Sequence, residues 1–443
     1  MTDPDFVNEM RELLGEECDA LLSSYGQKAF SALRINRLKA GNKLPGFTDA
    51  LRKVPWAKDA FYYDDLIELK GQGDEDIKSM APGRHPFHEA GLYYIQEPSA
   101  MAPVTYLDVK RGERVLDLCA APGGKSCQIA DALNGKGILI SNEINVSRAG
   151  ILSENIERLG IGNALVLSES PDALAKRFPC FFDRVLVDAP CSGEGMMRKR
   201  EEARKEWSLD NVRLCAKRQD DILREAAKML RYGGRMVYST CTFNKEENEG
   251  TIERFLDHHP DFCMENIPLY DGMTHGIKEV LKAEENACGM ARIFPHRADG
   301  EGHFIAVLKK KDKPGIYTGS VPAGGFEQGI PVKDRKKMTE LYEEIANPLL
   351  LSRRITIGAN HLISEEKAEE KQEFGQMDLF SDFALGTEDK KEKREDRERE
   401  KRRQKAVLEI QKKYGKNAIL KGMNLEEGAT TKLRNEQIGG HKA

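Results

Sequence analysis

Arg114-Val-Leu-Asp-Leu-Cys-Ala-Ala-Pro-Gly-Gly-Lys-Ser126 is the stretch on which the reading of the whole chain turns. Val115, Leu116 and Leu118 form the short apolar run of a buried strand. Pro122-Gly123-Gly124 breaks the strand, and a helical pattern runs from Ser126 through Leu133. Strand, glycine turn and helix together open a nucleotide-binding α/β unit. The glycines clear side chains from a place where a ligand approaches the backbone, and the helix start offers free N–H groups. The spacing is not the three-glycine dinucleotide fingerprint. Asp117 on the strand and one tight Gly-Gly turn suit a nucleoside without a pyrophosphate, of which S-adenosylmethionine is the commonest. An ordinary strand–helix turn fits the same residues.

Downstream, strands and helices alternate. Strands are expected over 137–142 and 164–167 and at Arg184-Val-Leu-Val-Asp188, with a helix over 146–159 between the first two. A long helix is expected over about 210–230, capped by Ser208 and ended by Gly233-Gly234, then a strand at Arg235-Met-Val-Tyr-Ser239. A helix over 244–258 follows, and strands over 290–294 and 303–308 pair as a hairpin. This alternation predicts a doubly wound, mostly parallel sheet with helices on both faces and an antiparallel last hairpin. Ligands sit outside the carboxyl ends of such strands. Asp117, Glu143, Asp188 and Cys241 all fall at those ends, so four residues far apart in the chain converge on one crevice. Glu143, some twenty residues beyond the glycine turn, suits both hydroxyls of a ribose.

Upstream, apolar spacing predicts helix over 5 to about 33, then a half-exposed strand at Ala32-Leu-Arg-Ile-Asn-Arg-Leu-Lys39. Its basic face suits phosphate, and a solvated edge strand fits equally. The Gly-, Asp- and Pro-rich stretch 71–89 reads as loop. Gly91 to Met101 leads into the central domain, with Pro98 opening a helix to about Leu107.

The chain has 443 residues, long enough for more than one domain, and a formal net charge of −4 from 69 basic and 73 acidic residues. That balance excludes a globally basic nucleic-acid binder and leaves local patches to make any such contact. Nine cysteines, with no C-x-x-C pair, predict neither a disulfide framework nor a zinc site. The acidic N-terminus lacks an apolar signal core, and no apolar run approaches the ~20 residues of a membrane span. A cytoplasmic monomer without metal is the expectation.

Asp188-Ala-Pro-Cys191 and Ser239-Thr-Cys241-Thr each put a cysteine just past a strand end. Cys18, Cys127, Cys180 and Cys215 read instead as buried filler. A cysteine in a proline-fixed loop can be held against a ligand, and a thiolate beside a methyl donor points to covalent catalysis on an electron-poor ring. Cytosine carbon 5 takes a methyl group only after thiolate addition at carbon 6 makes it an enamine. Asp188 is then placed to hydrogen-bond the base edge.

On these motifs, residues 5 to about 310 resemble the Sun/RsmF-type family of RNA cytosine-carbon-5 methyltransferases. The matching stretches are Leu33–Asn36, Tyr93–Met101, Asp117–Ser126, Asp188–Met196, Tyr238–Phe243 and Arg292–His296. The resemblance implies a class I S-adenosyl-L-methionine-dependent α/β fold, with an α+β RNA-contacting extension over 1–90 and the methyltransferase domain over 91–310. It implies ribosomal RNA as substrate. It assigns methyl-donor contacts to Cys119, Ala120, Ala121, Pro122, Gly123, Gly124, Lys125, Glu143 and Asp188. It makes Cys241 the nucleophile and Cys191 the helper in product release. Where the family often has an acid near the adenine, this chain has Ser168-Glu-Ser-Pro171, which offers Glu169 or Ser170. The rival readings are a DNA cytosine methyltransferase, against which the second cysteine speaks, and a clamp-tethered binding protein with an inactive scaffold.

Residues 311–337 read as linker, and from about 335 to 443 the chain resembles the largely flexible, partly disordered C-terminal tail of a bacterial lesion-bypass (Y-family) DNA polymerase. Arg353–His361, Gln376–Phe380, Lys413–Thr431 and Gln437–His441 carry that resemblance. No polymerase palm domain accompanies it, so no polymerase activity is expected. Asp389 to Lys405, with ten basic and six acidic residues, is a solvated helix or tether. Gln376-Met-Asp-Leu-Phe380 has the form of a sliding-clamp peptide, with Leu379 and Phe380 filling an apolar pocket and Gln376 anchoring the backbone.

Overall fold

The computed structural model describes residues 3–41, 44, 51–63, 67–68, 79–80, 82–312, 437–438 and 441–442. The chain divides into two units, Met1–His361 and Leu362–Ala443. Of the second, only the pairing of Gln437–Ile438 with His441–Lys442 is described. The linker beyond residue 312, most of the polymerase-like tail and the peptide with Gln376, Leu379 and Phe380 lie outside the described residues.

The chain opens on α1 (Pro4–Leu14) and α2 (Cys18–Ser24). Asp3 caps α1 by accepting from the Asp5 amide, and Pro4 stands where no N–H is needed. The single helix expected to about residue 33 does not form. Gly15, at φ 56°, ends α1, and residue 31 is already in a strand. There follow β1 (Ser31–Ile35), α3 (Arg37–Ala40), β2 (Ala60–Tyr63), a short hairpin of β3 (Ile67–Glu68) and β4 (Ser79–Met80), α4 (Pro86–Glu89) and β5 (Tyr93–Ile95). The stretch read as loop over 71–89 therefore contains β4 and α4.

β1 is the centre of an antiparallel sheet in the order β2-β1-β5. This corrects the half-exposed strand with a phosphate-facing basic side. Arg34 is 3% exposed and ion-paired with Asp131. Asn36 donates to the Gly91 carbonyl at 2.7 Å and the Leu159 carbonyl at 2.8 Å. These residues fasten the small sheet to the central domain.

That domain runs through α5 (Ala102–Leu107), β6 (Arg114–Asp117), α6 (Gly124–Leu133), β7 (Ile138–Asn142), α7 (Val146–Arg158), β8 (Ala164–Leu167), α8 (Pro171–Arg177) and β9 (Phe182–Asp188). It continues with α9 (Glu201–Glu206), α10 (Leu209–Met229), β10 (Leu230–Thr240), α11 (Glu249–His258), β11 (Phe262–Met264), β12 (Met273–Thr274), β13 (Met290–Ile293) and β14 (His303–Lys310). The sheet order is β12-β13-β14-β10-β9-β6-β7-β8, with β11 also paired to β14. From β10 to β8 the pairs are parallel, and β14 returns antiparallel to both β10 and β13. This is the α/β fold expected. Alternate strand residues face opposite layers: Val115, Leu186 and Val237 pack with α5, α6 and α7, while Leu116, Val185 and Val187 pack with α8, α10 and α11.

Two boundaries differ from expectation. β10 starts at Leu230 and carries a register shift before Arg235. Gly234 permits it, since a Cβ there would lie 2.7 Å from Leu230 Cδ1. Helix α11 starts at Glu249 rather than 244. Asn248 is drawn off the helix because it accepts from Thr240 Oγ1 at 2.7 Å and donates to the Thr242 carbonyl at 3.0 Å. Among the described residues no helix is long and apolar enough to cross a membrane.

Candidate active site

The chain runs from β6 outward to β7 and β8, then crosses back to β9 on the other side of β6. Such a reversal opens a crevice at the carboxyl ends of β6 and β9. Asp117 and Asp188 end those two strands.

The turn between β6 and α6 is laced from both sides. The Ala120 amide donates to the Asn142 carbonyl at 2.8 Å. Arg148 donates to the Ala121 carbonyl at 2.9 Å, and Asn155 to the Pro122 carbonyl at 2.9 Å. Gly123 has φ 114°, and a Cβ on Gly124 would lie 3.1 Å from the Tyr94 ring, so this turn has no room for larger residues. Arg148 also pairs with Glu143 at 3.2 Å, and Glu143 accepts from the Asn145 amide at 3.0 Å. Beside this buried acid, Ile144 and Val146 are 64% and 76% exposed. A carboxylate that accepts from hydroxyls, next to bare apolar surface, fits a ribose and its base.

Asp117 lies under the turn, fully buried, and accepts from Ser126 Oγ at 2.7 Å. Burial pushes its carboxyl up to about 7 against the Ser126 hydrogen bond, with Asp188 and Glu143 adding like charge. A carboxyl raised in this way lends stability that is fully present below its unfolded value and is lost as pH rises through about 7. Wild-type protein is therefore expected to lose up to about 4 kcal/mol more than Asp117→Asn between about pH 4 and about pH 8. Urea midpoints across that range check this; parallel curves would remove Asp117 as the cause.

Asp188 is gripped by three donors. Lys125 Nζ lies 2.7 Å from Oδ2, and Ser239 Oγ and His303 Nε2 lie 2.8 Å and 3.4 Å from Oδ1. Burial works to raise its pKa, but the Lys125 charge and the His303 and Lys125 hydrogen bonds outweigh it and hold the carboxyl well below the usual range. Asp188 is thus an acceptor at neutral pH.

β9 and β10 are neighbours with Asp188 in register with Ser239. Their extensions bring Cys191 and Cys241 together with Sγ atoms 3.3 Å apart. Both are free thiols and half-buried. The Cys241 hydrogen bond, then burial, push Cys191 well above an ordinary thiol. Gly195 donates to the Cys241 carbonyl at 2.8 Å, and any Cβ there would strike that oxygen at 2.9 Å.

The structure thus brings the seven residues Cys119–Lys125, Glu143, Asp188, Cys191 and Cys241 to one end of one sheet. Ser170 caps α8, accepting from the Ala173 amide at 3.3 Å. Of the cysteines read as filler, Cys18, Cys127 and Cys215 are buried, but Cys180 is exposed at φ 50°, because it stands in the tight turn before β9. Arg148, Asn155 and His303 were missed. His303 opens an expected strand but pairs with Asp188 only through sheet register, for which no short-range signal exists. Among the described residues no group of His, Cys, Asp or Glu could hold a metal.

Residues 104–309 match the family described as 16S rRNA methyltransferase RsmB/F, and residues 3–98 match the N-terminal domain of 16S rRNA methyltransferase RsmF. The chain is 35% identical over 344 residues to Ribosomal RNA small subunit methyltransferase F of Escherichia coli O157:H7, covering 75% of this chain and 68% of that protein. A crystal structure of a methyltransferase homologue from Pyrococcus horikoshii is similar at 27% identity and TM-score 0.58, over 70% of this chain and 95% of that one. A structure described as NSun6 from Pyrococcus horikoshii with SFG shares the fold at 23% identity and TM-score 0.58, over 70% of this chain and 99% of that one. With a relative 35% identical over two thirds of its length, and family matches over both the small sheet and the central domain, the chain belongs to the RsmB/F family of 16S rRNA methyltransferases.

Proposed function

We propose that the chain methylates carbon 5 of a cytosine in 16S rRNA, using S-adenosyl-L-methionine and a transient bond from Cys241 to the base. The thiol pair carries this reading: two free cysteines 3.3 Å apart, at adjoining strand ends beside an ionised aspartate. The descriptions of its relatives supply the substrate class.

S-adenosyl-L-methionine, when bound, supplies an electrophilic methyl group. The main chain of Cys119, Ala120, Ala121, Pro122, Gly123, Gly124 and Lys125 would line its site, with Glu143 on the ribose and Ile144 and Val146 against the base. Asp188 orients a flipped-out cytosine by accepting from its amino group. Cys241 gives its proton to solvent and adds as thiolate to carbon 6, which makes carbon 5 nucleophilic. After methylation, Cys191, its own proton released to solvent, takes the carbon-5 proton as thiolate, the ring double bond re-forms and Cys241 leaves as thiolate. The raised pKa of Cys191 suits this order. Its largest cause is the Cys241 hydrogen bond, which disappears once Cys241 is bonded to carbon.

Bisulfite mapping of 16S rRNA from cells with and without the gene tests the reading. One 5-methylcytosine is expected to vanish with the gene, and an unchanged map overturns the proposal. Glu143→Ala is expected to weaken donor binding by about 1.5–3 kcal/mol, the worth of hydrogen bonds to a charged group. Calorimetry with unchanged affinity would take Glu143 out of the site.

A further inference from the structure

Behind the cysteine pair lie two buried carboxylates that methyl transfer itself does not use. Glu247 is fully buried in the turn between Cys241 and α11. It accepts from the Ser192 amide at 3.1 Å and from Gln219 Nε2 at 2.8 Å. The same Nε2 donates to the Pro190 carbonyl at 3.0 Å. Pro190 and Ser192 flank Cys191, so Glu247 and Gln219 grip the loop on both sides of the thiol. Thr251 donates to Gln219 Oε1 at 3.4 Å, which turns the Nε2 group toward Glu247.

The grip is anchored to the neighbouring strand. Tyr238 of β10 donates to the Glu247 carbonyl at 2.6 Å, and β10 ends beside Cys241. Ser192 Oγ and Thr242 Oγ1 are 2.8 Å apart, so the residues after the two cysteines touch. Glu194 ties the loops in the opposite sense, accepting from the Phe243 amide at 2.7 Å and from Trp207 Nε1 at 2.9 Å. Burying two carboxylates side by side is costly. Burial lifts Glu247 to about 7, with Glu194 adding like charge. Apolar residues would fill this space without that cost, but they would not hold the loop on both sides of Cys191.

We propose that Glu247, acting through Gln219 and the Ser192 amide, is the positioning residue that holds the Cys191 thiol against the base during product release. The inference rests on the reading of Cys191 as the release group. Carbons 5 and 6 are bonded neighbours, so a base for the carbon-5 proton must stand close beside the sulfur bonded to carbon 6. In release, Cys191 as thiolate takes that proton, the C–H electron pair forms the ring double bond, and the carbon–sulfur pair leaves with Cys241. A displacement of about 1 Å costs on the order of 100-fold in such a transfer. Of the two thiols, addition and methylation need only Cys241, so these steps are spared.

The test uses the full chain, unmodified 16S rRNA transcript and radiolabelled S-adenosylmethionine. In Glu247→Met the acceptor of both the Ser192 amide and Gln219 Nε2 is gone, which opens the grip on the Cys191 loop. Methyl transfer in a single turnover is expected to stay within about twofold of wild type, while steady-state kcat falls about 10- to 100-fold. Covalent protein–RNA adduct is expected to accumulate on a denaturing gel. A merely structural role lowers both rates together with no adduct, and that result overturns the inference. If Glu247→Met does not fold, Gln219→Met decides in the same way: adduct supports the inference, wild-type behaviour overturns it. Cys191→Ala separates the two layers. No adduct with Cys191→Ala means that the release reading has failed; adduct with Cys191→Ala but not with Glu247→Met removes Glu247 alone.

Discussion

Cys241→Ala is expected to abolish methyl transfer, by on the order of 10³-fold or more, and to leave no covalent protein–RNA species. Without a thiolate at carbon 6, carbon 5 of cytosine has no electron density to give. Cys191→Ala is expected to behave oppositely. Its Cys241 still adds and the methyl still transfers, but the carbon-5 proton has no acceptor and the protein stays bonded to its RNA. The neighbouring Sγ atoms at 3.3 Å let both act on one base, and the raised pKa of Cys191 argues against it as the resting nucleophile. The measurement is a denaturing gel of each variant with RNA and methyl donor. A slow band with Cys191→Ala only supports the assignment. A band with Cys241→Ala only makes Cys191 the nucleophile, as the DNA-enzyme reading requires. Wild type on 5-fluorocytosine RNA, which blocks release, shows where the band runs.

Arg34→Leu is expected to destabilise the protein by about 3–5 kcal/mol while leaving the salt dependence of RNA binding unchanged. Arg34 pairs with Asp131 of α6 in the interior, and Asp131 also accepts from the Arg37 amide at 3.1 Å. Removing the guanidinium leaves a buried carboxylate short of its main partner. The double variant Arg34→Leu, Asp131→Leu is expected to recover much of the loss, because the uncompensated charge goes with it. Urea unfolding and RNA titrations over a range of salt check both halves. A changed salt slope with unchanged stability would return Arg34 to the RNA surface.

The contrast between these two experiments follows what short-range sequence can encode. Arg114 to Ser126 specified strand, turn and helix because apolar run, proline and glycine each act over a few residues. The order of strands then forced Asp117, Asp188 and Cys241 to one end of a parallel sheet, since consecutive crossovers leave every carboxyl end on the same side. Cys191 and Cys241 were legible as candidates for the same reason. Partners were not. Arg34 alternated with apolar neighbours and read as a surface cation, yet Asp131, ninety-seven positions away, takes it into the interior. The helix break at Gly15 was hidden because apolar spacing continues on both sides of it. His303, Gln219 and Glu247 carry no local mark of their contacts. Sheet register brings His303 to Asp188, and helix packing brings Gln219 and Glu247 to the Cys191 loop. Tertiary structure alone decided these pairings, because a buried charge is stable only where the fold delivers its partner.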